Sequence, residues 1–129
     1  MIAVDTSAIV AMIKSEPDEM RLRAALETAN GALMSTANIL ELQLVMAGKQ
    51  ALATWPDIER MFAQYNIAVH PFDARQLAIA REASIRFGKG RHKAGLNFGD
   101  CFAYALAKSE GIALLCTGND FALTDVERV

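Results

Sequence analysis

Cysteine is scarce in this chain, and the two that occur, Cys101 and Cys116, show neither a CxxC pair nor a metal-ligand spacing. A disulfide framework and a thiolate zinc site are therefore excluded, and a reducing cytoplasm is the expected setting. Neither cysteine has an evident histidine partner, and no serine stands in a nucleophile-elbow sequence, so no protein nucleophile announces itself. No apolar run approaches the roughly 20 residues that cross a bilayer, and no membrane association is expected. No basic segment precedes the apolar start Met1-Ile2-Ala3-Val4, which argues against a secretory signal. An excess of charge of one sign is missing too. The net charge is −2, which does not suit a general polyelectrolyte binder. Repeats, linkers and low-complexity tracts are absent, so the 129 residues are expected to form one domain, 1–129.

What is present is a mostly apolar chain, 53% hydrophobic and 22% charged, as in a compact soluble protein. Short apolar runs alternate with helical patterns. Strands are expected at 1–4, 32–35, 67–70 and 112–116, with a short final one at 126–129. Helices are expected from Ala8 to Ile13, from the Ser15-Glu16-Pro17-Asp18 restart to Asn30, from Thr36 to Ala47, from Thr54 to Tyr65, from Asp73 to Phe87 and from Asn97 to Lys108. Capping boxes are expected at Ser15/Asp18, Thr54/Asp57 and Asn97/Asp100. The helix after Thr36 is so rich in Ile, Leu, Val and Met that burial on most sides is expected, within its own fold or against another chain. Strands separated by helices predict an α/β fold with a central parallel sheet and right-handed crossovers.

Four acids stand where an apolar run gives way to a helix or a turn: Asp5, Glu41, Asp100 and Asp120. Each alone is explained by helix capping, worth about 1 kcal/mol. In an open parallel sheet, however, ligands gather beyond the carboxyl ends of the strands, and four acids in one crevice would repel one another unless a cation or shared protons intervened. Oxygen-only ligands suit a hard divalent ion, Mg²⁺ or Mn²⁺. Such an ion activates water for attack on a phosphodiester without any protein nucleophile. Thr6, Ser7, Thr117 and Asn119 are polar neighbours that can orient carboxylates or water, although capping and turn chemistry explains Ser7 and Asn119 equally well. Asp18, Asp57 and Asp73 read as helix starts, and His70, between Val69 and Pro71, as structural.

One local contrast lies under the net charge. Arg86, Lys89, Arg91 and Lys93 fall within eight residues that contain no acid, leaving the remainder of the chain at −6. The loop Gly88-Lys89-Gly90-Arg91-His92-Lys93-Ala94-Gly95 is either a solvated connection or a phosphate contact made by Lys89, Arg91, His92 and Lys93. Its glycines follow a helix, so they are no dinucleotide fingerprint.

Asp5-Thr6-Ser7 after a first strand, Glu41 in an apolar helix, Gly99-Asp100-Cys101-Phe102-Ala103-Tyr104-Ala105-Leu106-Ala107 and Thr117-Gly118-Asn119-Asp120-Phe121 together resemble the PIN-domain ribonucleases. The resemblance is to the VapC toxins of type II toxin–antitoxin pairs. It covers essentially the whole chain and implies a three-layer fold with a central parallel sheet of four to five strands flanked by helices. It also implies an Mg²⁺- or Mn²⁺-dependent endoribonuclease. Asp5 and Asp100 match the principal metal ligands, Glu41 the third acid, Asp120 the fourth, and Thr117 and Asn119 supporting polar positions. The implied substrate is structured RNA, tRNA or ribosomal RNA. The implied partners are a second copy of the chain and a VapB-type antitoxin, in a heterotetramer or larger assembly, with Leu40–Met46, Met12, Ile13 and Met20 available to line the contacts. A receiver-like phospho-acceptor domain also gathers acids around Mg²⁺, but here no lysine follows the late strand and Asp100 opens a helix. A non-catalytic PIN adaptor is disfavoured because all four acids are present.

Overall fold

The computed structural model describes residues 1–48 and 52–129. Four strands, β1 (Ile2–Val4), β2 (Ala32–Ser35), β3 (Ile67–His70) and β4 (Ala113–Leu115), form one parallel sheet in the order β3-β2-β1-β4. Helices occupy every crossover. α1 (Thr6–Ile13) and α2 (Glu19–Thr28) join β1 to β2, α3 (Thr36–Met46) and α4 (Trp55–Gln64) join β2 to β3, and α5 (Ala74–Phe87) and α6 (Phe98–Glu110) join β3 to β4.

Side chains alternate across a sheet, and the two faces of this one fill separate cores. Ile2 and Val4 pack with Ile9, Met12, Leu22, Met34, Leu42 and Ile58 beneath α1–α4. Ala3 and Leu114 pack with Ala83, Tyr104, Leu106 and Phe121 on the other side, beneath α5 and α6. The result is the three-layer α/β arrangement, with four strands in the sheet. The chain steps outward from β1 to β3 and is then carried back by α5 and α6 to β4, on the far side of β1. Connections therefore leave β1 and β4 in opposite directions, which opens a crevice at their carboxyl ends.

Local chemistry sets most helix starts. The Asp5 carboxylate accepts from Ser7 N (3.0 Å), Ser35 Oγ from Ala37 N (3.3 Å) and Asp73 from Gln76 N (2.9 Å). Reciprocal capping boxes form at Thr54/Asp57 and Asn97/Asp100. Gly111, at φ 65°, ends α6 in the left-handed region that glycine tolerates best. His70 is tied to Gln76 and Glu110, a structural placement.

Two expectations need correction, the capping box at Ser15/Asp18 and the final strand. No capping box forms at Ser15/Asp18. Ser15 sits at φ 51°, and the Asp18 carboxylate is taken by Arg21 at 2.6 and 2.8 Å, so α2 begins at Glu19 without a side-chain cap. The apolar helix α3 is buried only along Asn38, Leu42 and Met46, a stripe repeating every four residues. Leu40 (63% exposed) and Leu44 (68%) face outward, because apolar residues spread all round a helix give it no single inward face. Phe98, the first residue of α6, is also 83% exposed. The final segment makes only an isolated parallel bridge, Leu114 to Arg128, rather than a fifth strand.

Candidate active site

Asp5 is the first residue past β1. Its amide donates to Leu115 O of β4 (2.9 Å), which fixes it at the mouth of the crevice. Asp100 lies in the first turn of α6, where its Oδ2 accepts from Asn97 N (3.0 Å) while Asn97 Oδ1 accepts from Asp100 N (3.0 Å). Both aspartates are buried. Together with Thr6, Ser7, Val10, Glu41, Val45, Asn97 and Asp120 they line one cleft of about 240 Å³. All four acids thus open onto a common space, although among the described residues no three His, Cys, Asp or Glu side chains are drawn to a single coordination point.

Capping and clustering are compatible at Asp100, because a carboxylate has two oxygens and the cap uses Oδ2. Glu41 reaches the cleft from α3. Its Oε1 accepts from Asn38 Nδ2 (3.2 Å), and its carboxylate occupies the space beside the bare Cα of Gly99, where a Cβ would meet Oε2 at 1.9 Å. Asp120 is exposed, on the turn that follows β4.

The electrostatics are those of an uncompensated cluster. Burial pushes the Asp5 carboxyl up to about 6, against the pull of its Ser7 hydrogen bonds and with a contribution from Glu41. Burial likewise pushes Asp100 up to about 7, and the charges of Asp5, Asp120 and Glu41 add to it. The ion pairs among the described residues engage Asp18, Glu19, Asp57, Glu110 and Asp125, and none of the cleft acids. Oxygen donors held together without a protein cation fit a hard divalent ion, which would also relieve their repulsion.

A pH dependence follows. The folded chain keeps protons on Asp5 and Asp100 that the unfolded chain releases near pH 4, so their contribution to stability is fullest below pH 4 and is lost as pH rises towards 7. Asp18, Asp57 and Asp125 are held below the usual range by Arg21, Thr54 and Tyr104 respectively, and act only below that window. Thermal unfolding in chelator should therefore show a higher midpoint at pH 5 than at pH 8. A midpoint that rises over this interval would contradict the raised values.

The supporting residues divide. Thr6 Oγ1 donates to Asn38 O (3.2 Å), and Ser7 Oγ accepts from Thr117 N (3.2 Å), so both line the cleft and brace it. Thr117 is half-buried behind Ser7, and Asn119 is exposed on the turn, where its carbonyl accepts from Ala122 N (3.1 Å). Neither lines the cleft. Lys89, Arg91, His92 and Lys93 are all exposed on a loop closed at its base by the Gly88–Leu96 bridge, and Leu96 leads directly into Asn97. His92 Nδ1 accepts from Ala94 N (3.0 Å), and its ring stands edge-on to Phe87. Asn38 and Gly99 carry geometry that reading the sequence did not assign. The one available signal was the three-residue spacing from Asn38 to Glu41, which places both on one helix face.

A PIN domain matches residues 2–127. The chain is 43% identical over 126 residues to Ribonuclease VapC30 of Mycobacterium tuberculosis, covering 98% of this chain and 96% of the relative. It is equally identical to Ribonuclease VapC of Mycolicibacterium smegmatis, covering 98% of both. Among solved structures, the Mycobacterium tuberculosis VapC20 toxin, described as cleaving the sarcin-ricin loop, superposes with a TM-score of 0.74 at 17% identity, over 100% of this chain and 98% of that one. VapBC2 from Rickettsia felis, bound to a promoter DNA fragment, gives 0.76 at 16% identity, over 100% and 98%. At these identities the two structures speak for the fold. With the sequence match spanning nearly the whole chain, the protein belongs to the PIN-domain family, in its VapC branch.

Proposed function

We propose that the chain is an endoribonuclease that hydrolyses RNA phosphodiester bonds in the acid cleft with the help of Mg²⁺ or Mn²⁺, and that it is the toxin of a type II toxin–antitoxin pair. The observation that carries this reading is the pair Asp5 and Asp100. Both are buried, neither is paired with a cation among the described residues, and both open onto a cleft shared with Glu41 and Asp120. The relatives named as VapC ribonucleases support the activity.

Asp5 and Asp100 would hold the cation, with Glu41 and Asp120 completing its oxygen environment. When bound, the ion supplies Lewis acidity, which makes a water a better nucleophile and stabilises the departing oxygen. Helices α1 and α6 both begin at the cleft, so their positive ends favour an anionic phosphate there. Ser7, held by the Thr117 amide, and Thr6 form a fixed polar wall, while Asn119 sits on the turn that carries Asp120. Lys89, Arg91, His92 and Lys93 would meet flanking phosphates of a structured RNA, tRNA or ribosomal RNA.

The partner is a VapB-type antitoxin. Val10 and Val45 line the cleft, and the exposed Leu40 and Leu44 extend that apolar surface along α3, where an antitoxin segment can cover it. Several of the solved structures with this fold are toxin–antitoxin complexes. A homodimer is the proposed form of the toxin. No described helix is long and apolar enough to cross a membrane.

Treating the purified chain with EDTA should abolish cleavage of total RNA, a loss of about a thousandfold or more. Adding Mn²⁺ or Mg²⁺ should restore it. Cleavage that persists unchanged in the chelator would overturn the proposal.

A further inference from the structure

We infer that Asn38 is a positioning residue for Glu41, clamping its carboxylate between α3 and the start of α6; this rests on Glu41 belonging to the acid site. Asn38 is fully buried, at 0% exposure. Its Nδ2 donates to Glu41 Oε1 (3.2 Å) and to Gly99 O (3.0 Å), and its own carbonyl accepts from Thr6 Oγ1 (3.2 Å). One side chain and its backbone thereby join three segments. Thr6 is the residue after Asp5, Gly99 the residue before Asp100, and Glu41 lies one turn along the same helix.

The amide orientation is dictated by its neighbours. Two acceptor oxygens face Nδ2, so the NH₂ group must point towards them. That leaves Oδ1 buried with no partner among the described residues. An unpaired buried acceptor is destabilising, so packing alone would favour an aliphatic side chain here. The amide is chemically apt for a different task. It donates to a carboxylate without adding charge, whereas a lysine or arginine in its place would neutralise Glu41 and compete with a cation for it. The remaining oxygen, Oε2, lies over the bare Cα of Gly99. Glu41 is therefore held from two sides by neutral groups.

The test uses the full-length protein and Mn²⁺ alone, with free Mn²⁺ followed by electron paramagnetic resonance and unfolding followed by circular dichroism. Asn38→Leu is close in volume and cannot donate. It should weaken Mn²⁺ binding by about tenfold or more while leaving the thermal midpoint in chelator unchanged or higher. Combined with Glu41→Gln, it should add little to the loss that Glu41→Gln causes alone, since Asn38 acts on the ion only through the Glu41 carboxylate. Mn²⁺ affinity equal to wild type in Asn38→Leu, or losses that add in full, would overturn the assignment. Asn38→Ala, read in the same way, decides the matter should the leucine variant not fold. Unfolding of both variants would make Asn38 a core residue and overturn it as well. Wild-type protein that binds no Mn²⁺, or Glu41→Gln that binds it undiminished, would instead reject the acid site on which the inference rests.

Discussion

Asp100→Asn should eliminate RNA cleavage, by about a thousandfold or more, and should make the metal-free protein more stable at the same time. The two halves of this result have one cause. The substituted asparagine would keep the cap, because its side-chain oxygen can still accept from Asn97 N as Asp100 Oδ2 does at 3.0 Å. What the change removes is a buried negative charge whose pKa stands near 7 and which three other acids oppose. At pH 8 in chelator that charge is fully formed and uncompensated, so its removal should raise the melting midpoint by roughly 5 °C. A residue whose only duty was to start α6 would give no such split. Full cleavage activity in the asparagine variant would reject Asp100 as a participant. A markedly lower midpoint would show that its charge helps the fold.

Gly99→Ala should cost activity of the order of a hundredfold while leaving the fold intact. Within α6, alanine is favoured over glycine by about 1 kcal/mol, so the backbone gains from the change. The added methyl would lie 1.9 Å from Glu41 Oε2 and 2.6 Å from its Cδ. Those atoms end a flexible side chain, so the glutamate yields and the helix does not. The carboxylate then leaves the cleft, and Asn38 Nδ2 loses an acceptor. Reaction geometry tolerates displacements of this size poorly, and about 1 Å can cost a hundredfold. Cleavage assays beside thermal melts test both halves. An alanine variant with wild-type turnover would mean that Glu41 contributes nothing at its present position.

How much of this was legible in the sequence depends on the reach of the interaction. Thr54/Asp57, Asp73/Gln76 and Asn97/Asp100 are contacts over three residues, and residue type with spacing suffices to recognise them. Ser15/Asp18 has the same spacing and fails because Arg21 claims the carboxylate, a competition that spacing cannot register. The parallel sheet was legible because each apolar run is short and bounded by helix signals. Whether α3 is covered by its own fold or by another chain was not legible, because a count of apolar residues carries no direction. Leu42 and Met46 face the core, whereas Leu40 and Leu44, on the same helix, do not. Gathering the acids in one cleft follows from strand order, and the repeated placement of acids at the ends of apolar runs hinted at it. Asn38 stayed hidden, since its partner Gly99 lies 61 residues away and no local pattern relates them.

The position of β4 bears on when the acid cleft can first form. β1 is the first strand synthesised, yet one of its two neighbours is β4, and the Asp5 amide is satisfied by Leu115. Ser7 and Thr117, which brace one wall of the cleft, are 110 residues apart. Pairings this distant along the chain form late and slowly. A growing polypeptide still attached to its ribosome therefore carries Asp5 and Glu41 well before it has the strand that holds the first of them in place.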